Sequence, residues 1–458
     1  MISAFLRQIL PRTILISLAL LILLPGIPGT RRAAAAVPEI SRLRCGASLV
    51  TLYEPNSAAV AIDVFFRVGL SDEGRNPGIT ALVTRAWFSD GRFRSANQLR
   101  RDIGASGSGV GSYFGGDFAE IWSVSGTSDA AIEQSAQTLL LNLVASPGFG
   151  PEAITAAKEQ QQRALALEQA NPLAAVLNQL RSRVWFESPQ GRALLGNAES
   201  VAAITAREVA AHYLRFFRPS RAVIVVAGNL PPERARRLVE QSLNAAGWSE
   251  ADRPVAPEIR AAPERVPQGL RDLLLDRPAP ASILAAGYLT AGTLTAGSEE
   301  WVTLLLLDAV LGGGKTSRLF RLRDDAVPPS TPIGYEVRTL LLPFRSQSLW
   351  TAYVIGSGPV KATRTAVLAT LSALGTGTKP VTDVELARAK AYLKGRHLVQ
   401  RQRLKERSFG VGWAEVMGLG GAFDTGYDAR IDAITLDAVN RLGRQTFGAA
   451  NAAVVSTE

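Results

Sequence analysis

The sequence predicts an α+β fold made of two similar domains, each a mostly antiparallel sheet covered by helices. Segments with strand and helix patterns alternate along the chain, which is typical of sheets packed against helices. With 458 residues, the chain is long enough for two domains that each bury a sizeable core. A set of sequence landmarks also recurs once in the same order, which indicates a duplicated plan.

Residues 1–36 resemble a secretory leader. Two arginines, Arg7 and Arg12, precede an apolar stretch, Ile14–Leu24, and small residues at Ala33–Ala36 offer cleavage sites. The apolar stretch is shorter than the ~20 residues of a membrane-spanning helix. We therefore expect a periplasmic or secreted protein, with an uncleaved membrane anchor as the alternative.

The remaining elements follow in chain order. A run rich in Val, Ile and Phe predicts a strand, helical patterns follow it, and a continuous apolar run predicts a further strand. A proline-rich segment without periodicity then predicts a linker at 251–268, which separates domains at 37–250 and 269–458. The predicted strands are Ala58–Val68 and Pro219–Ala227, and the predicted helices are Gly78–Ser89, Asp129–Leu143 and a single long helix over Pro151–Leu180.

The duplication is visible in three landmarks. The tripeptide Ala203-Ile204-Thr205 recurs as Ala433-Ile434-Thr435 after 230 residues, and each copy leads into an apolar run. The pair Ala157-Lys158 recurs as Ala389-Lys390 after 232 residues. Three landmarks in one order favour two copies of one supersecondary plan.

A family resemblance rests on the segment Val64–Glu73, which is followed by Gly78-Ile79 and a helix. It resembles the opening of the pitrilysin/insulinase (M16) zinc peptidases. In those enzymes the helix bears an H-x-x-E-H motif, whose two His hold zinc while the Glu polarises the bound water. A third ligand, a Glu, follows about 77 residues further on. The resemblance implies the same two-domain fold.

The zinc motif is replaced in this chain. Its first His position holds Ala81, the Glu position holds Thr84, and the second His position holds Arg85. The third-ligand position is predicted near Gln162–Ala164, where no acid occurs. The whole chain contains only two histidines, His212 and His397, so no zinc motif of this kind can be formed. We therefore expect no bound metal and no peptide hydrolysis by this chain alone.

The second domain supplies the candidate substrate-binding residues. In the resemblance, Leu322-Arg323 and Gly334-Tyr335 match the Arg and Tyr that hydrogen-bond a peptide backbone opposite the zinc. The alternative is a surface Arg and an ordinary strand Tyr. The glycine-rich segment Gly104–Gly116 matches the edge where a peptide joins the sheet, although its six glycines favour a mobile loop.

The resemblance implies a companion subunit of a heterodimeric zinc peptidase. The partner would be an intact M16 subunit that carries H-x-x-E-H and zinc, and the ligand would be a peptide. The alternative is a non-proteolytic scaffold or binding protein with the same fold. Neither aromatic–basic interleaving nor a zinc-finger spacing indicates nucleic-acid binding. Gly314-Lys315-Thr316 is not a phosphate-binding loop, because Ala309 occupies the position of an essential glycine.

Overall fold

The computed structural model describes residues 36–88, 95–105, 107, 109–144, 147–250, 271–276, 281–290, 294, 298–324, 334–357, 359–448 and 452–457. The predicted linker at 251–268 lies outside these ranges, as does the predicted leader except for Ala36, so both remain predictions. Within the described ranges, no helix is both long and apolar enough to cross a bilayer.

The first sheet contains six strands in the order β1-β2-β6-β3-β5-β4. Neighbouring strands are antiparallel except for the parallel pair β2 and β6. All seven residues of β3 are buried, because helices cover both faces of the sheet centre. The strands are β1 (Glu39–Arg42), β2 (Ser48–Tyr53), β3 (Val60–Phe66), β4 (Gly109–Phe114), β5 (Ala119–Ser125) and β6 (Ala222–Gly228).

The helices of the first half include one correction to the sequence prediction. The single helix predicted over Pro151–Leu180 is two helices that meet at Asn171. The Asn171 side chain accepts hydrogen bonds from the backbone of the second helix, and Pro172 occupies its first turn, so the chain turns and starts again. The helices are α1 (Ile79–Ala86), α2 (Ala96–Ala105), α3 (Asp129–Ala136), α4 (Pro151–Ala170), α5 (Pro172–Val184), α6 (Ala198–Ala203), α7 (Ala206–Phe216) and α8 (Pro232–Ala245).

The second sheet contains strands in the order β7-β11-β8-β10-β9, again with one parallel pair, β7 and β11. Its strands are β7 (Asp272–Leu275), β8 (Ser282–Leu289), β9 (Glu336–Pro343), β10 (Ser348–Gly356) and β11 (Ala452–Thr457). Its helices are α9 (Glu300–Gly312), α10 (Arg318–Asp324), α11 (Val360–Gly375), α12 (Asp383–Gln400), α13 (Leu404–Met417), α14 (Tyr427–Ala433) and α15 (Leu436–Thr446).

The landmarks of the predicted duplication are equivalent in structure. Thr205 caps α7 and Thr435 caps α15, each by accepting a hydrogen bond from the backbone three residues later. Lys158 Nζ donates to Ala202 O (2.8 Å), and Lys390 Nζ donates to Asp432 O (2.8 Å) at the corresponding helix end. The predicted fold class, two similar halves that each contain a helix-covered sheet, is confirmed.

Each half contributes one helix that packs on the sheet of the other half. Helix α5 of the first half packs on β8 and β11, while α13 of the second half packs on β3 and β6. The approach of α13 is close, since a Cβ at Gly412 would lie 2.1 Å from the Phe65 ring. On the other sheet, a Cβ at Gly287 would lie 2.9 Å from Leu180 of α5. Both crossings therefore depend on a glycine.

Candidate functional site

The loop around Glu73, which follows β3, fixes the start of α1. Glu73 is buried and its carboxylate accepts hydrogen bonds from Gly78 N (3.0 Å) and Thr80 N (3.2 Å). Burial raises the pKa of Glu73 to about 7, although these bonds oppose the rise. Gly78 has φ 90°, and a Cβ there would lie 2.5 Å from Leu195 O, so glycine is required. This loop orients α1, the helix that carries Ala81, Thr84 and Arg85.

The motif positions face a cavity of about 400 Å³ between helix and sheet edge. Ala81, Thr84 and Arg85 contribute one wall, and β4 contributes another. The cavity is lined by Ala81, Thr84, Arg85, Ser112, Tyr113, Phe114, Glu168, Leu194 and Leu195. The structure thus brings the three predicted positions together at one site.

The three motif side chains are not placed as metal ligands. Ala81 has no donor atom, and the Thr84 hydroxyl donates to Ala81 O (2.8 Å). Arg85 donates to the same carbonyl (3.1 Å), and its cationic group lines the cavity. Burial lowers the pKa of Arg85, but an arginine keeps its proton near neutral pH. A guanidinium at this position repels a divalent cation.

The cavity lining includes one acid, Glu168 of α4. The predicted third-ligand position near Gln162–Ala164 holds no acid, and Gln162 and Arg163 point to solvent. Gln161 is fully buried and donates to Gly78 O (2.9 Å) and Leu195 O (2.8 Å). Glu168 follows two helical turns later, on the same face as Gln161. The assignment of the third-ligand position stays a prediction.

A signal in the sequence could have located this acid. The buried residues of α4 include Ile154, Ala157, Gln161 and Leu165, which recur every three or four positions. Glu168 is the next position in that series, so the inward face of α4 ends on a carboxylate. Helical periodicity therefore predicts that Glu168 faces inward.

Polar groups on α5 hold Glu168 in place. Asn178 Nδ2 donates to the Glu168 carboxylate, and Arg181 donates to Asn178 Oδ1 (3.2 Å). Burial lowers the pKa of Arg181 to about 10, and the nearby Glu168 charge opposes the decrease. Arg181 consequently stays protonated near neutral pH. The carboxylate is fixed from behind and faces the cavity.

The residues of the cavity do not fit zinc. One carboxylate remains where a protein zinc site needs three or four donors. His212 is buried against Thr80 (3.2 Å), with its pKa lowered to about 3 by burial, and His397 stacks on Tyr427 at 3.9 Å. Both histidines thus serve in packing. In the described part of the chain, no group of three His, Cys, Asp or Glu side chains could hold a metal ion.

The glycine-rich segment is a strand from Gly109 to Phe114 and not the predicted mobile loop. This strand, β4, is the outer strand of the first sheet. The Trp122 indole explains one glycine, because a Cβ at Gly111 would lie 2.6 Å from its ring. Gly115 similarly makes room for Phe118, whose ring would lie 2.3 Å from a Cβ. Gly111 and Gly115 thus reflect aromatic packing. The edge of β4 borders the cavity.

The two predicted substrate-binding residues lie in the second half. Arg323 is in α10, with its guanidinium over the Phe320 ring at 4.4 Å. Tyr335 precedes β9, is 62% exposed, and donates its backbone N–H to Ile355 O (3.0 Å). Residues 325–333 between them lie outside the described ranges. Their role in binding a peptide remains a prediction.

Comparisons with known proteins agree with this fold. Residues 203–393 match the family described as the Peptidase M16 inactive domain. An uncharacterized zinc protease of Mycobacterium bovis is 26% identical over 290 residues, which cover 63% of this chain and 64% of that protein. The alignment thus spans less than two thirds of each chain.

Solved structures extend the similarity over nearly the whole chain. A protease from Helicobacter pylori matches with a TM-score of 0.82 at 15% identity, covering 93% of this chain and 100% of that one. A peptidase M16 inactive domain from Pseudomonas fluorescens matches with a TM-score of 0.78 at 17% identity, covering 92% and 98%. At these identities the structures establish the fold alone. Residues 203–393 therefore resemble the Peptidase M16 inactive domain in sequence, and the solved structures show an M16-like fold over nearly the whole chain.

Proposed function

We propose that this chain is a catalytically inactive M16 protein that serves as the substrate-binding companion of a zinc-bearing M16 subunit. The observation that carries the proposal is the cavity beside β4. Its walls and one carboxylate, Glu168, are in place, whereas Ala81 and Arg85 occupy the positions of the two histidines. The cavity thus keeps a binding geometry without the donors for hydrolysis.

The strand β4 supplies the binding mode. An outer strand presents backbone N–H and C=O groups that an extended peptide can pair with. Pairing of this type depends little on side chains, so it survives the loss of the metal ligands. The half-exposed Tyr113 of β4 lines the cavity next to Thr84 and can contact a side chain of the added strand.

The partner supplies the chemistry in this proposal. Zinc and the H-x-x-E-H motif belong to the other subunit. Arg323 and Tyr335 of this chain face the peptide that is bound at that zinc site. The leader at 1–36 supports export to the periplasm or beyond, where both subunits would meet. Several relatives are named as uncharacterized zinc proteases, which is consistent with a peptidase complex.

The test is co-expression with an M16 chain that carries an intact H-x-x-E-H motif, followed by peptide-cleavage assays on each chain alone and on the mixture. We expect cleavage only by the mixture, with kcat/KM lowered by Arg323→Ala and Tyr335→Phe. Arg163→Ala is the matched control, since its side chain is 68% exposed on the outer face of α4.

Three outcomes oppose the proposal. Cleavage by the partner that is unchanged by this chain would exclude a companion role. A stable complex without any cleavage would favour the alternative, a scaffold with the same fold. Cleavage by this chain alone that a chelator abolishes would contradict the proposal that the chain is catalytically inactive.

A further inference from the structure

A second, larger cavity lies in the other half of the molecule. It has a volume of about 790 Å³ and is formed by α9, α12, α13 and the segment that precedes α14. Its apolar lining is unusually aromatic for a surface cavity, and Trp301 packs on Trp413 with ring centroids 5.6 Å apart. The main apolar side chains are Trp301, Leu305, Phe409, Trp413, Phe423 and Tyr427.

One side chain connects this cavity with the first. Tyr113 of β4 lines both the 400 Å³ cavity and the 790 Å³ cavity. It is 51% exposed and belongs to the outer strand, so it borders both cavities at the edge of the first sheet. A strand advances about 3.3 Å per residue and directs alternate side chains to the same face. A peptide paired with β4 can therefore place a side chain a few residues away in the larger cavity.

The charges around the larger cavity are predominantly positive. Four cations line it, Arg396, Arg401, Arg403 and Lys405, against two carboxylates, Glu406 and Asp424. One of these acids is already paired, since Arg401 contacts Asp424 at 2.8 Å.

The remaining cations differ in how freely they face solvent. Lys405 is paired from behind by Asp63 (3.2 Å) and Glu120 (2.5 Å). Arg403 is 85% exposed and 3.8 Å from Glu406, a distance at which an exposed pair contributes little. Arg396 and Arg403 are therefore the lining cations that a carboxylate of a ligand can contact.

We propose that the larger cavity binds an aromatic side chain of a peptide that pairs with β4, with an acidic residue next to that aromatic. The proposal rests on the proposed peptide-binding function and adds the class of peptide. The apolar walls accept the ring, Trp301 and Trp413 offer aromatic contacts, and the cationic rim accepts the acid. The occupant is an extended acidic and aromatic peptide segment.

The experiment is calorimetric titration of the purified chain with capped peptides of about eight residues, long enough to span both cavities. The set is identical except at two adjacent positions, which carry Phe-Glu, Ala-Glu or Phe-Lys. We expect the Phe-Glu peptide to bind about tenfold or more tightly than the Ala-Glu peptide, as burial of a ring predicts. The Phe-Lys peptide should also bind more weakly, and added salt should reduce that difference.

Two variants localise the effect. Leu305→Trp places a larger ring in the cavity and should weaken the preference for Phe while it leaves weak backbone pairing intact. Leu398→Ala is the control, because Leu398 is 67% exposed on α12 and does not line the cavity. Circular dichroism checks that both variants are folded.

The outcomes separate this inference from the proposed function. Equal affinity for the Phe-Glu and Ala-Glu peptides would overturn the aromatic site and leave peptide binding standing. Binding of none of the three peptides would oppose the proposed function itself and this inference with it. A dimer in sedimentation that Leu305→Trp dissociates would show that a second copy occupies the cavity, and would also overturn the inference.

Discussion

The contact between α13 and the first sheet depends on a buried cluster of charges. Lys405 of α13 lies 3.2 Å from Asp63 and 2.5 Å from Glu120, and Ser408 donates a hydrogen bond to Asp63. Asp63 is fully buried, and the Glu120 side chain is 3% exposed. One lysine therefore balances two carboxylates inside the protein. We predict that Lys405→Met strongly destabilises the chain.

The size of the effect follows from burial. Removal of one partner of a buried ion pair costs about 3–5 kcal/mol, because the remaining charge is uncompensated. The Lys405 side chain is 22% exposed, so we expect the lower end of that range, about 3 kcal/mol. The matched control is Arg403→Met in the same region. The Arg403 side chain is 85% exposed, and its loss should change stability by no more than about 0.5 kcal/mol.

The effect should depend on pH with a definite sign. Burial raises the pKa of Asp63 well above its usual range, while the charge of Lys405 opposes this rise. An acid with a raised pKa in the folded state favours folding at low pH, and that contribution is lost as pH rises through the folded pKa. Without Lys405 the pKa rises further. Lys405→Met should therefore cost more at about pH 8 than at about pH 5.

The assay is denaturant unfolding followed by tryptophan fluorescence, with wild type, both variants and a rescue measured at the two pH values. The rescue is Asp63→Asn in the Lys405→Met background, which removes one uncompensated charge and keeps an acceptor for Ser408. We expect it to recover part of the loss. A cost below about 1 kcal/mol at both pH values, or a cost equal for both variants, would refute the argument from buried charge.

Two further predictions concern the first cavity. Rebuilding H-x-x-E-H at its three substituted positions should create a zinc site, and Glu168→Gln in that background should weaken zinc binding at least tenfold if Glu168 is the third ligand, as measured by competition with a chromophoric chelator. Unchanged zinc affinity would show that Glu168 is not the ligand. Separately, Gly111→Ala should cost about 1–3 kcal/mol in denaturant unfolding, because its Cβ would lie 2.6 Å from the Trp122 ring, whereas Gly109→Ala, at 3.5 Å from the same ring, should cost little. Equal effects of the two alanines would contradict the packing account of β4.

Features that depend on residues close together in the chain could be predicted from the sequence. The echo of Thr205 in Thr435 predicted two equivalent helix caps, because capping is decided within a few residues. The prediction that Ala81 and Arg85 occupy the two histidine positions likewise required only the spacing of a motif on one helix. Such features depend on side chains that are close neighbours along the chain.

The acid that lines the first cavity, Glu168, was not among the predicted site residues. Gln161 of the same helix bonds to backbone near α1 and α6, and no spacing within α4 indicates those contacts. The glycines of β4 suggested a loop, because the reason for Gly111 is a tryptophan on the neighbouring strand. Neither contact can be predicted from the residues of α4 or β4 alone, because its partner belongs to another element.

By itself, the sequence determined the duplicated α+β plan and the helix caps, and it predicted the replacement of the zinc motif. Tertiary structure alone decided that α5 and α13 cross to the opposite sheets, that Glu168 faces the first cavity, and that Tyr113 borders both cavities. The physical reason is the range of the interactions. Helix periodicity and capping act over a few residues, whereas packing and buried charge pairs join residues such as Asp63 and Lys405 that are distant in the chain.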